Sequence, residues 1–196
     1  FARAGFALNE MKYLNTAKRS ADFLLKHLSK IDQGLHRTFM DQRARHPGVL
    51  DDYSFVIQGL LDLFEATSEP RWLDAALSLQ GYLDAHHWDQ KSGGYFMTGD
   101  NQEKLLSRDK PDYDGAEPSG NSVAVMNLLR FATLTSKRSY RTRAESVFAA
   151  FSQDLARRGR GLTKMLSALE LYLDEPYELV VVSRADKKEA AGPLLN

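Results

Sequence analysis

The sequence has no cysteine among its 196 residues. That excludes a disulfide framework, a thiolate metal site and a cysteine nucleophile within this segment. No apolar run approaches the roughly 20 residues of a membrane span, and nothing at the start reads as a signal peptide. An excess of charge of one sign is missing too. Lys+Arg and Asp+Glu stand at 26 each, so no net field draws nucleic acid or an acidic membrane surface. Together these absences predict a soluble, cytoplasmic protein with neither nucleic acid nor membrane as partner.

What is present is enough apolar material, 43% of residues, to bury a core in one domain. It is organised as a repeat. Asp51-Asp52-Tyr53-Ser54-Phe55-Val56-Ile57-Gln58-Gly59-Leu60-Leu61 returns 68 residues later as Ser119-Gly120-Asn121-Ser122-Val123-Ala124-Val125-Met126-Asn127-Leu128-Leu129. Thr67-Ser68 is matched by Thr135-Ser136, and Trp72 by Tyr140. A third relative, Tyr13-Leu14, lies 59 residues before Trp72. The unit is a pair of helices that buries its apolar faces by stacking on its neighbours.

Apolar spacing of three and four predicts helices over about 13–27, 51–67, 70–87, 119–134, 139–155 and 162–173. Two long linkers fall in equivalent places, before the helices at Asp51 and Ser119. Each carries a strand-like stretch, Gly34–Phe39 and Gly93–Thr98. Phe6 occupies the place of Phe64, so the first residues read as the end of a helix, and the chain is expected to be a fragment of a longer protein. The β-branched run at Glu178–Val182 predicts a strand. The expected domains are a helical-hairpin segment over 1–175 and the start of an α/β appendage over 176–196.

If the pairs form a ring, the helix starts and the long loops meet at one mouth. Asp51, Asp52 and Tyr53 from one unit would face it, with Asp114, Glu117, Ser119 and Asn121 from the next. Loop residues His36, Arg37, His46, Trp88, Tyr95 and Arg108 would cover them. Asp51, Asp52 and Glu117 are the candidate catalytic residues, because paired carboxylates serve as acid and as base or nucleophile in glycosidic cleavage. Tyr53, His36, His46, Trp88, Tyr95, Arg108, Asp114, Ser119 and Asn121 are the candidate substrate-binding residues. Helix capping explains Asp51 and Asp52 equally well. However, adjacent helical side chains point about 100° apart, so only one of the two can cap. Gly120 near a helix start implies a close backbone neighbour or a ligand. No histidine pair has the spacing of a zinc helix, so neither a metal nor another cofactor is expected.

Leu50-Asp51-Asp52-Tyr53-Ser54-Phe55, Gly59-Leu60-Leu61-Asp62-Leu63, Trp88-Asp89, Gly93-Gly94-Tyr95-Phe96 and Asp114-Gly115-Ala116-Glu117-Pro118-Ser119-Gly120-Asn121-Ser122 together resemble the spermatogenesis-associated protein 20 family of thioredoxin-domain proteins. The resemblance implies a mainly α fold, part of an (α/α)6 toroid of the six-hairpin glycosidase type with short β-hairpins in its loops. It implies about three hairpins here, and elsewhere in the polypeptide the remaining hairpins and a thioredoxin-like domain as partners. The toroid is similar to six-hairpin glycosidases and to N-acylglucosamine and cellobiose 2-epimerases, which implies a sugar-type pocket, glycoside hydrolase-like or epimerase-like. The epimerase histidine motifs find no residue-by-residue match at His36, His46, His86 or His87. The alternative reading is a non-catalytic scaffold that presents partners to the thioredoxin-like domain. Half a ring is also expected to expose an apolar edge near Phe1, Phe6 and Leu8.

Overall fold

A computed structural model describes residues 1–30, 34–103 and 106–174. Eight α-helices lie among the described residues: α1 (Ala2–Ala7), α2 (Met11–His27), α3 (Leu50–Thr67), α4 (Pro70–His86), α5 (Gly120–Thr135), α6 (Arg138–Ala150), α7 (Ser152–Arg158) and α8 (Thr163–Leu173). Three short strands, β1 (Ser29–Lys30), β2 (Gly34–Met40) and β3 (Arg43–Pro47), form an antiparallel sheet in that order. The strand expected at Glu178–Val182, with the whole 176–196 appendage, lies outside the described residues.

The helices pack in two layers. α1, α3, α5 and α8 follow one another as an inner row, while α2, α4 and α6 back onto it. Three inner helices end in the same way: Asn9, Ser68 and Ser136 take left-handed φ values of 52°, 54° and 54°. After each of them the next helix opens with an aromatic amide bonded three residues back, Tyr13 to Glu10, Trp72 to Glu69 and Tyr140 to Lys137. The hydroxyls of Thr67 and Thr135 donate to Leu63 and Phe131 and accept from the amides of Glu69 and Lys137. The repeat seen in the sequence is thus a repeat of turn chemistry as well as of apolar pattern.

Between the layers Trp72, Tyr53, Ile57, Leu61, Leu83, Leu128 and Phe131 are fully buried, each worth roughly 1.5–3 kcal/mol of burial. At the open end of the inner row the chain is apolar and exposed. Phe1, Phe6 and Leu8 are 72%, 53% and 63% accessible.

The two linkers are tied down by one device. In the first, the Leu35 amide donates to the buried Tyr53 hydroxyl at 2.8 Å. In the second, the Tyr95 amide donates to Asn121 Oδ1 at 2.8 Å, and Asn121 Nδ2 donates to the carbonyls of Tyr95 and Pro111, both at 2.9 Å. Tyr53 and Asn121 are matched positions of the repeat. Each amide follows a glycine of positive φ, Gly34 at 69° and Gly94 at 75°. At Gly34 a Cβ would collide with the Tyr53 hydroxyl, so a side chain there would break the tie.

Three expectations are corrected. The stretch Gly93–Thr98 is not a strand of a hairpin but a single bridge between Trp88 and Tyr95, flanked by backbone bonds from Asp89 to Gly94 and from Phe96 to His87, while Asn121 takes the amide and carbonyl of Tyr95. Residues 35–45, expected as a linker strand-like only over Gly34–Phe39, are instead most of a regular hairpin. The helix expected over 139–155 breaks at Phe151, which turns inward and is 5% exposed.

Replacing Asn121 by Ala leaves the Tyr95 amide and two carbonyls without partners, at about 1–3 kcal/mol for a buried unsatisfied group. The Tyr95 amide in the full-length protein is expected to exchange its hydrogen roughly 30-fold faster, the rate change for about 2 kcal/mol. Unchanged exchange there would refute the anchoring role.

Candidate functional site

The inner helices start at one end of the arc, and acidic side chains stitch those starts together. Asp114 accepts from the Ser119 amide before α5 through one oxygen at 2.8 Å. Its other oxygen accepts from the Lys164 and Met165 amides of α8 at 2.8 and 3.3 Å. Asp51 stands at the corresponding junction of α3 and α5, but by close contact and not by a hydrogen bond. A Cβ on Gly120 would collide with its Oδ1, and the Leu50 side chain lies 2.6 Å from the same point. That contact is why position 120 is glycine: the neighbour is another helix start.

Beside this junction lies a cavity of about 280 Å³. Asp51, Asp52 and Glu117 line it from the helix starts, His36 and Arg37 from β2, and Leu24, Leu28, Phe55 and Val56 form its apolar wall. The two adjacent aspartates behave differently in it. Asp52 Oδ2 accepts from the Val49 amide at 2.8 Å and from Arg37 Nε at 3.1 Å, a helix cap reinforced by an ion pair. Asp51 Oδ1 is buried without a hydrogen-bond partner. Burial raises its carboxyl above the ordinary aspartate range, and the charges of Asp52 and Glu117 push the same way. The Gly120 amide, which faces it without a hydrogen bond of normal geometry, and Arg37 pull in the opposite direction. His36 has the same incompleteness, with Nδ1 buried and unpartnered.

The other residues expected at the mouth are held elsewhere. Tyr53 is 1% exposed and stacks on Tyr82. Tyr95 is fully buried, and its hydroxyl donates to Asp84 at 2.6 Å. Trp88 packs edge-on against Tyr95 and under Arg143. Arg108 donates to the carbonyls of Thr98 and His86 and covers the Phe96 ring, so it pairs with no mouth carboxylate. Ser119 caps α5 through the Ser122 amide at 3.2 Å, while Asn121 and Asp114 hold the linker and the helix starts as described. His46 is exposed on β3 and does not line the cavity. His87 is buried, which lowers its pKa, and its Nδ1 lies 3.1 Å from the Phe96 carbonyl. Arg37, expected only as a cover over the mouth, is the ion-pair partner of Asp52. The apolar wall was not singled out by sequence, although the α2 stripe ending at Leu24 and Leu28 gave a signal for part of it.

Solved structures share this architecture. The GH76 alpha-mannanase of Bacteroides thetaiotaomicron superposes on 98% of this chain and 51% of its own, with a TM-score of 0.63 at 15% identity. A family 76 glycoside hydrolase from a bovine strain of that species gives 0.60 over 76% of this chain and 32% of its own, at 18% identity. Cellobiose 2-epimerase from Bacillus thermoamylovorans gives 0.60 over 79% and 40%, at 15% identity. The fold is therefore part of an (α/α)6 toroid of the six-hairpin glycosidase type.

Among sequence relatives, spermatogenesis-associated protein 20 of Rattus norvegicus is 36% identical over 204 residues, covering 99% of this chain and 26% of the relative. Its Homo sapiens counterpart is 35% identical over 199 residues, covering 96% and 25%. The chain is homologous to spermatogenesis-associated protein 20 and spans about a quarter of the length of those relatives. No family model matches the sequence. Among the described residues no helix is long and apolar enough to cross a membrane.

Because the Asp51 carboxyl is raised in the folded state, its ionisation opposes folding above the ordinary aspartate value of 3.8 and not below it. Asp51→Asn is therefore expected to raise the unfolding midpoint at pH 7, with the gain shrinking as pH falls toward 4. If Asp51 were only a cap, the same substitution would lower the midpoint at pH 7 instead.

Proposed function

We propose that the mouth beside α3 binds a carbohydrate, and that Asp51 is the group that acts on it. The reading is carried by one observation: Asp51 and His36 both line one cavity, and each holds a buried atom, Oδ1 and Nδ1, without a hydrogen-bond partner. Buried polar atoms left unpaired cost about 1–3 kcal/mol each, and a ligand hydroxyl, donor and acceptor at once, satisfies either. The apolar wall of Leu24, Leu28, Phe55 and Val56 suits the C–H face of a sugar ring. The glycoside hydrolases and the epimerase with this fold act on sugars, which supports the same class.

The two aspartates divide the chemistry of acid and base. Burial favours the protonated form of Asp51, the state needed to donate to a leaving oxygen. Asp52 carries its charge against Arg37, where it steadies positive charge developing at a sugar carbon. Glu117 stands on the exposed rim as the third carboxylate. Hydrolysis and epimerisation are both compatible with this division, and the closing hairpins of the full-length protein complete the site.

A scaffold serving an attached thioredoxin-like domain is the second reading. It is favoured by the number of mouth residues, Tyr53, Tyr95, Arg108, Asp114 and Asn121 among them, whose polar atoms are engaged in holding linkers.

Thermal unfolding of the full-length protein with a panel of aldoses, ketoses and oligosaccharides separates the two. A ligand at 100 times its Kd adds about 2.7 kcal/mol to the folded state. At least one sugar is expected to raise the midpoint of the wild type, and less so that of His36→Ala or Arg37→Ala. A flat response across the panel rejects the carbohydrate reading and leaves the scaffold.

A further inference from the structure

The Trp88–Pro118 linker reaches α3 as well as α5. The Met97 carbonyl accepts from the Leu50 amide at 2.9 Å, and Gln102 Nε2 donates to the Gly48 carbonyl at 2.8 Å. Leu50 is the first residue of α3, next to Asp51. Residues 96–102 therefore hold the helix start that carries both aspartates of the mouth.

That stretch is fastened in turn to the end of α4. The amides of Phe96 and Asp100 donate to the carbonyls of His87 and His86, at 2.8 and 2.9 Å. Asn101 Nδ2 donates to the Tyr82 hydroxyl at 2.7 Å. Beneath these bonds lies the His87 ring, 0% exposed. A carbonyl only accepts, so the 3.1 Å contact with the Phe96 oxygen puts the ring proton on Nδ1. Nε2 is left buried, with a lone pair and no partner. Gly99 covers it so closely that a Cβ there would stand 3.2 Å from Nε2.

An imidazole fixed in this way has no place for a second proton. Uptake at Nε2 would bury a cation whose new N–H finds no acceptor, and water reaches it only if the cover lifts. Burial is accordingly the main influence on His87, holding its pKa below the ordinary histidine value of 6.5. Arg108 from the linker and His86 from α4 push the same way, against the Phe96 carbonyl and Asp100. From α3 the Tyr53 ring faces it at 5.4 Å, stacked on Tyr82 of α4; burial raises the Tyr53 hydroxyl pKa, so that ring stays neutral.

We propose that His87 is an acid-sensitive latch: protonation of its ring frees residues 96–102 from the end of α4, and with them the start of α3, so that the mouth loosens as pH falls. The released form binds the proton as an exposed histidine does, and the latched form binds it more weakly. Acid therefore favours release, from about pH 6.5 downward and by up to about tenfold per pH unit. What the cavity binds has no bearing on this equilibrium.

The test is amide hydrogen exchange in the full-length protein at pH 7.5 and 5.5, corrected for the intrinsic rate at each pH. Protection of the Leu50, Phe96, Met97 and Asp100 amides is expected to fall about three- to tenfold in the wild type. It is expected to stay constant in His87→Asn, whose side chain keeps a donor for the Phe96 carbonyl and does not titrate. Equal protection at both pH values in the wild type overturns the inference. So does a fall that persists in His87→Asn, which assigns the titration to another group. His86→Gln decides the matter if His87→Asn does not fold. A fall that survives in His86→Gln supports the latch, whereas one that vanishes places the switch on the exposed His86–Asp100 pair and overturns it.

Discussion

Two buried amides, those of Leu35 and Tyr95, govern the shape of the mouth. A linker that enters the interior carries backbone groups that must be paired there, and at these two amides no backbone carbonyl is the acceptor. The inner helices supply the partner from a side chain in matched positions, a phenol at Tyr53 and a carboxamide at Asn121. Once those bonds are made, β2 is held beside α3, and the Trp88–Pro118 linker is held beside α5. The walls of the cavity follow from that placement. So do the glycines at 34 and 94, which let the chain approach its anchor.

The helical part was legible because burial on one side of a helix writes itself at a spacing of three and four. The repeat was legible because identical turn chemistry recurs: Thr67-Ser68 and Thr135-Ser136 align in sequence and make the same bonds. The irregular parts were not. Gly93–Thr98 has the composition of a strand, yet its backbone bonds are divided among His87, Asp89, Asp109 and the Asn121 side chain, and composition does not reveal which partner a backbone takes. The apolar spacing over 139–155 runs on through Phe151, and nothing in it marks the break that the structure makes there.

At the mouth, residue type alone did not separate a group that holds the fold from one that faces space. Asp51 and Asp52 are adjacent and identical, but Asp52 is tied to Val49 and Arg37 while Asp51 lines the cavity with one oxygen buried and unpaired. Asp114 and Asn121 looked like ligands for a substrate because the side chains that bind hydroxyls are also the ones that bind amides. The difference lies in distances across the repeat, 26 residues from Asn121 to Tyr95 and 50 from Asp114 to Lys164, and no local pattern reports it. His36, Asp51, Asp52 and Glu117 do share one cavity, since helix starts and a linker strand are held side by side there.

The stitching of α3, α5 and α8 at their starts has an electrical consequence. Each helix start carries about half a positive charge from its unpaired amides, and three of them side by side would form a strong local field. Asp52 and Asp114 accept hydrogen bonds from those amides and oppose it there. Beyond a Debye length of about 8 Å the backbone and the carboxylates largely cancel, in a chain whose formal net charge is zero. Such a mouth does not draw a charged molecule from a distance. Whatever settles in it is selected at contact, by shape and by single hydrogen bonds, and its capture should vary little with salt.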